Sequence, residues 1–346
     1  MCILRINIKE STMLILGIES SCDETGLALY SEDHGLIAHL VNSQIDLFTE
    51  YGGVIPEIAA RDHSAKIIGT LKQLLKQTDH NLEDINLIAY TAGPGLIGSL
   101  MIGETVAKTI ANVLNIELLP INHLEGHILA PGLEEGGLEP PYLCLLVSGG
   151  HTQIIRCDGY GDYKIIGETI DDACGEAFDK VGKLLNLEYP GGPKVSKLAE
   201  KGDSKRFKFP RAMMKDKNLN FSFSGLKTSV LYALEDLNEE DHADVAASFQ
   251  EAVIDALTTK LMWAVQDTKI HKLICSGGVA SNKLLRDRLK QMAANNNLEV
   301  SYPRMEFCTD NAAMIAYAGF IRKKFKLPTY PTNFARPRWP LGELYD

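Results

Sequence analysis

The sequence predicts an α/β fold built from two similar halves that face a central cleft. Three observations carry that expectation. Short apolar strands alternate with stretches of helical periodicity. A strand–turn–strand unit at 13–30 returns at 142–157. A strand, a glycine-rich turn and a helix follow one another twice, at 86–114 and at 271–294. Ligands of α/β sheets sit beyond strand ends, so the turns of both halves are where chemistry is expected.

The first strand is 13–19 (MLILGIE), and the turn SSCDETG leads into a second at 26–30. That turn carries two carboxylates, Asp23 and Glu24. Apolar residues at helical spacing fill 56–78. The strand 86–91, the turn AGPGLIGS and a helix over about 99–114 close the first half. The second half opens with the apolar strand 142–148, the turn GGHT and a return strand at 153–157. Its later part is the strand 271–276, the turn GGVASN and a helix over about 282–294. The expected organisation is an extension at 1–12, a first lobe at 13–141 and a second lobe at 142–346. An insertion at about 163–240 interrupts the second lobe. The proline-rich RPRWP segment is expected to lie on the body as an ordered tail.

Composition narrows the class. The 346 residues are 45% hydrophobic and 23% charged, which suits a globular chain and excludes global disorder. No apolar run reaches the ~18 residues of a membrane helix. Seven cysteines, odd in number and widely spaced, do not form a disulfide framework and point to a reducing compartment, the cytoplasm. The net charge of −10 argues against non-specific coating of nucleic acid. The charge is uneven: 1–150 holds 7 basic and 19 acidic residues, whereas the remainder holds 28 and 26. A local basic face remains open, drawn from Lys205, Arg206, Lys208, Arg211, Lys215 and Lys217, from Arg322, Lys323, Lys324 and Lys326, and from Arg336 and Arg338.

Three motifs carry chemistry. In His123-Leu124-Glu125-Gly126-His127 the two imidazoles stand at i and i+4, one face of a helix, and can meet one ion. Glu125 falls on the opposite side, badly placed for the base of a zinc protease. Asp310 is the candidate third ligand, with an ordinary helix N-cap as its plain alternative. Two imidazoles, a carboxylate and open positions suit Fe²⁺ or Zn²⁺ and could polarise a substrate oxygen. The turns Ser148-Gly149-Gly150 and Ser276-Gly277-Gly278 each follow a strand and expose backbone N–H groups to an anion, although neither is a Walker A loop. In GEAFDK and PGGP, Asp179 could accept ribose hydroxyls, with Gly192 admitting the sugar. The alternative is a surface aspartate and a plain turn.

Together the motifs GIESSCDETG, AYTAGPG, HLEGH, LVSGGHTQ, GEAFDKVGKLL, YPGGP, FSFSGLKT, SGGVASN, FCTDNAAMIAYAG and RPRWP resemble the TsaD family, in order from about 13 to 340. The resemblance implies an actin/hexokinase/Hsp70-like ATPase fold. It implies transfer of the threonylcarbamoyl group from threonylcarbamoyl-AMP to N6 of adenosine 37 in tRNAs reading ANN codons. The family's metal ligands fall on His123, His127 and Asp310, for one divalent ion, Fe²⁺ before Zn²⁺. Its nucleotide contacts fall on Leu146, Val147, Ser148, Gly149, Gly150, Asp179, Gly192 and Asn282, and its acidic turn on Asp23 and Glu24. Its partners are a TsaB-like paralogue and a TsaE-like ATPase, with the adenylate made by a TsaC-like enzyme. The competing readings are a small-molecule kinase or ATPase of the same fold, a non-catalytic scaffold, and a metallopeptidase. Glu125 speaks against the last.

Overall fold

The computed structural model describes residues 13–134, 139–215, 217–329 and 334–343. The extension expected at 1–12, with Cys2, lies outside the described residues.

The first sheet grows from β1 (Leu14–Glu19), β2 (Glu24–Ser31) and β3 (Gly35–Ser43). After α1 (Ile45–Thr49) and α2 (Pro56–Thr78) the chain adds β4 (Leu87–Gly93), α3 (Ile97–Leu114) and β5 (Glu117–Asn122). The short helix α4 (His123–Leu129) then leads across to the second sheet: β6 (Tyr142–Val147), β7 (Thr152–Gly159) and β8 (Asp162–Glu168). Four helices follow: α5 (Cys174–Leu184), α6 (Gly191–Ala199), α7 (Ser224–Leu234) and α8 (His242–Thr268). The last elements are β9 (Lys272–Ser276), α9 (Lys283–Asn296), β10 (Glu299–Ser301) and α10 (Ala312–Lys324).

The strand order is β3-β2-β1-β4-β5 in the first sheet and β8-β7-β6-β9-β10 in the second. In each, the first three strands in chain order pair antiparallel and the last two add in parallel. The duplication is therefore complete. It also corrects one expectation, because β8 is the counterpart of β3 and not the start of an insertion. The extra helical material begins only after Glu168.

Strand periodicity sets the layers. Leu143, Leu145 and Val147 face a core with α5, α8 and α9. Tyr142, Cys144 and Leu146 face the opposite way, into a cluster with Leu124, Ile128 and Trp339. In the first sheet, Leu16 and Ile18 pack toward Ile67 and Leu71 of α2 and Ala107 of α3. Ile15 faces a cluster with Ala312, Ile315 and Ala316 of α10. The last helix has thus crossed back to the first lobe. Its small residues permit the approach: a Cβ on Gly17 would lie 2.4 Å from the Ala312 carbonyl oxygen, and one on Gly319 would lie 2.7 Å from the Ala89 Cβ.

The tail lies on the body as expected. Arg336 N donates to Ala92 O at 2.6 Å, Gly95 N to Pro337 O at 3.2 Å, and Asn122 Nδ2 to Trp339 O at 3.0 Å. Of the basic face, Arg322 must be removed, since it is buried against Glu125, and Arg206 and Arg211 are tied to Asp244 and Asp255. The six described cysteines are free. No described helix is long and apolar enough to cross a membrane.

Candidate metal and nucleotide cleft

A cavity of about 880 Å³ lies between the lobes. The first lobe lines it with the β1–β2 turn, including Asp23 and Glu24, and with His123 and Asp310. The second lobe lines it with Ser148, Gly149 and Gly150, with Asp179 and Gly192, and with Asn282. Leu146 and Val147 do not line it: both are fully buried strand residues.

The metal candidates are brought together by two elements of the first lobe. Asn122 caps α4, accepting from Leu124 N at 2.9 Å, and so fixes the turn from which His123 and His127 project. Asn311, not Asp310, caps α10: its Oδ1 accepts from Met314 N at 3.0 Å and its Nδ2 donates to Thr309 O at 2.8 Å. That cap leaves Asp310 free to face the histidines. Its Oδ1 lies 3.1 Å from His127 Nε2 and 3.5 Å from His123 Nε2. The two rings meet edge to face, 4.7 Å apart at their centroids. One donor atom from each of the three residues falls within 4.8 Å of the others. Two imidazole nitrogens and one carboxylate oxygen, mostly buried and with His123 and Asp310 on the cavity wall, fit a divalent transition metal by donor type and count.

The electrostatics match that fit. Burial alone would raise the Asp310 carboxyl, but His123 and His127 outweigh it and hold it well below the usual carboxylate range. Burial likewise opposes a charge on His123, yet Asp310 and Glu19 keep the ring's proton affinity well above that of a free imidazole. An ionised carboxylate thus faces a proton-retaining imidazole, and a metal ion held by the same donors would take that proton's place.

Glu125 has a different role from a protease base. It is fully buried, and Arg322 Nη1 donates to its Oε1 at 2.9 Å and its Oε2 at 3.0 Å, while Tyr163 donates to Oε1 at 3.2 Å. Breaking such a buried pair from one side costs about 3–5 kcal/mol. Glu125 is an anchor between α4 and α10.

The acidic turn is packed from below. His63 of α2 is buried, with Nδ1 2.7 Å from Thr25 Oγ1 and Nε2 3.0 Å from the Cys22 carbonyl oxygen. Glu24 is driven well above the usual carboxylate range by burial, then by Asp310 and Asp23.

The second lobe offers a glycine turn, an aspartate and an asparagine. Ser148 N donates to His151 O at 2.8 Å and His151 N to Ser148 Oγ at 3.0 Å, which closes the glycine turn on itself. A Cβ on Gly149 or Gly150 would meet nothing within 4 Å, so these glycines keep open space in the cleft. Gly277 is different: its φ is +92° and a Cβ would sit 2.4 Å from Val147 O, so the fold itself requires glycine there. Asp179 Oδ1 accepts from Gly191 N at 2.8 Å and Gly192 N at 3.1 Å, at the start of α6. Asn282 caps α9 and donates to Gln250 Oε1 at 2.7 Å.

Sequence reasoning missed Glu19, His63 and Tyr189, of which the last lines the cavity. A signal existed for Glu19, an acid ending an otherwise apolar strand.

Duplicated sheets around one cleft, with His123 and Asp310 on one wall and Ser148, Gly149 and Gly150 on the other, give a two-lobed actin/hexokinase/Hsp70-like fold. Two solved structures support that fold. A full-length HypF in phosphate- and nucleotide-bound form aligns with a TM-score of 0.61 at 12% identity, over 91% of this chain. The chain spans only 47% of that HypF. Component A of (R)-2-hydroxyglutaryl-CoA dehydratase from Acidaminococcus fermentans aligns with a TM-score of 0.52 at 13% identity, over 88% of this chain and 96% of that one. Sequence goes further. Residues 35–317 match the TsaD family, described as tRNA N6-adenosine threonylcarbamoyltransferase. A protein of that name from Methylobacillus flagellatus is 50% identical over 336 residues, 96% of this chain and 99% of the relative. The chain belongs to the TsaD family of tRNA N6-adenosine threonylcarbamoyltransferases, and it is a transferase that forms t6A in tRNA.

Proposed function

We propose that the chain transfers the threonylcarbamoyl group from threonylcarbamoyl-AMP to N6 of adenosine 37 in tRNAs reading ANN codons. The observation that supports this most is the juxtaposition of His123 and Asp310 with Ser148, Gly149 and Gly150 around one cavity. The N–H groups at Gly149 and Gly150 receive the adenylate phosphate, Asp179 and Gly192 its ribose, and Asn282 borders the same pocket. His123, His127 and Asp310 hold one divalent ion, Fe²⁺ before Zn²⁺, which when bound polarises donor oxygens. The N6 amine attacks the carbamoyl carbon, the bond from that carbon to the phosphate oxygen breaks, and AMP leaves. Asp23 or Glu24 accepts the proton released by N6. Positioning of the amine supplies most of the rate. The family further suggests a TsaB-like paralogue and a TsaE-like ATPase as partners, a TsaC-like source of adenylate, and the cytoplasm as the compartment.

The test is nucleoside mass spectrometry. Purified protein with its TsaB-like and TsaE-like partners is given threonylcarbamoyl-AMP and unmodified ANN-decoding tRNA. New t6A at adenosine 37 with the wild type, and none with a His123→Ala, His127→Ala variant, is the expected result. Absence of t6A from folded, metal-loaded protein, where a homologue works in parallel, would overturn the reading.

A further inference from the structure

One carboxylate behind the metal candidates joins them to the acidic turn. Glu19 ends β1 and is 0% exposed. Its Oε2 lies 3.0 Å from His123 Nδ1 and accepts from Thr91 Oγ1 at 2.6 Å. Its Oε1 accepts from the backbone N of Ser21 at 2.6 Å. A buried carboxylate is tolerated when its lone pairs are met in this way.

We propose that Glu19 is a positioning residue. It holds His123 with a proton on Nδ1 and with Nε2 turned toward Asp310, and through Ser21 it sets the distance from that ring to the turn bearing Asp23 and Glu24. The inference rests on reading His123, His127 and Asp310 as the metal site. An ionised carboxylate only accepts, so a 3.0 Å approach requires the proton on Nδ1. Ser21 Oγ, 3.2 Å from the same nitrogen, is then a second acceptor. His127 makes the contrast. Its Nδ1 is buried and has no hydrogen-bond partner among the described residues. The two histidines are thus unequal, and only His123 is held from behind. Carboxylates placed behind metal-bound imidazoles fix ring orientation and raise basicity.

The experiment titrates the full chain with Co²⁺ against a chromophoric chelator and records the d–d absorption spectrum, which reads ligand geometry. AMP binding is measured alongside. Glu19→Gln keeps the shape but has one acceptor oxygen for three donors. Its Co²⁺ affinity should fall ~10–100-fold with an altered d–d spectrum, while AMP affinity stays within twofold or so of wild type. Should Glu19→Gln fail to fold, Thr91→Val removes one donor from the same Oε2 and should move affinity and spectrum in the same direction by a few-fold. Wild-type affinity and spectrum in the folded variant would overturn the inference and leave the metal site standing. Failure of the wild type to bind Co²⁺ would overturn both.

Discussion

In the first sheet β1 runs into β2 through residues 20–23, and in the second β6 runs into β7 through residues 148–151. The two units share topology and pairing. Their chemistry is opposite. The first turn gathers carboxylates, Glu19 behind it, Asp23 on it and Glu24 where β2 begins, beside His123 and Asp310. The second has no carboxylate. It presents glycines whose Cβ positions are empty space. On the proposed reading, one lobe holds the cation and takes the proton, and the other accepts the phosphate on backbone N–H groups. A duplicated fold therefore leaves each half free to specialise at the same topological position, and the reaction lies where the two meet.

The sharpest way to break that division is to remove the cation side alone. Asp310→Ala, or His123→Ala with His127→Ala, should abolish t6A formation. It should also lower metal affinity by more than the ~10–100-fold expected for a partner behind a ligand. AMP affinity, which the proposed reading gives to the second lobe, should stay within a few-fold of wild type by isothermal titration. A parallel collapse of AMP binding would show that the lobes do not divide the work.

The converse experiment fills the second turn. Gly150→Ala places a methyl group in open space, so the fold should keep its melting temperature. AMP affinity should fall about tenfold, about 1.4 kcal/mol, with metal affinity unchanged. Gly277→Ala should act differently, because its strained φ and the close Val147 oxygen make it destabilising by roughly 1–3 kcal/mol in chemical denaturation. If Gly150→Ala destabilises the protein as Gly277→Ala does, the open-space reading is wrong.

Acid should also affect the lobes unequally. Burial pushes the Asp179 carboxyl up, against the pull of the Gly192 and Gly191 N–H groups. A raised carboxyl takes its proton at a higher pH than an ordinary aspartate, and the neutral form is the weaker acceptor. AMP affinity should fall on acidification while the solution is still above the normal aspartate range. Asp179→Asn should start weaker and lose that slope. An unchanged slope in the variant would assign it elsewhere.

Much of this division was legible in the sequence because it sits on strong local patterns. The apolar runs of β1 and β6, the glycine turns and the i, i+4 histidines each declare themselves within ten residues. What escaped depends on contacts far along the chain. Neither β3 nor β8 was anticipated as a sheet element, since both are edge strands. Nearly all of β3 is half-buried with no clean alternation of faces. The return of α10 to the first lobe is a matter of Ala312 and Gly319 meeting Gly17 and Ala89, which no local periodicity encodes. Glu125 was placed correctly on the far side of α4, but its partner Arg322 stands 197 positions away and read as surface charge.

The smallest expected effect concerns the histidine beside each turn. His63 lies under the acidic turn and His151 ends the glycine turn. Burial lowers the proton affinity of both, and the lowering takes His151 down to about 4, where His123 and His127 add to it. For His63 the Cys22 carbonyl and nearby carboxylates oppose burial but do not outweigh it. The sign follows from linkage. A histidine whose folded value is depressed binds fewer protons in the native state than in the unfolded one. Stability is then full above the unfolded value of about 6.5 and declines as pH falls toward the folded value. Both histidines should therefore contribute to an acid-side drop in melting temperature that begins below about pH 6.5, and His151 carries its share down toward about 4. His63→Gln should shrink that drop without abolishing it, while its Co²⁺ affinity at neutral pH stays at the wild-type level, because Glu19 rather than His63 holds His123. A variant that keeps the full slope below about pH 6.5 would clear His63 of the effect. A variant that instead loses Co²⁺ would show that the His63 contacts to Cys22 and Thr25 are needed for metal binding as well.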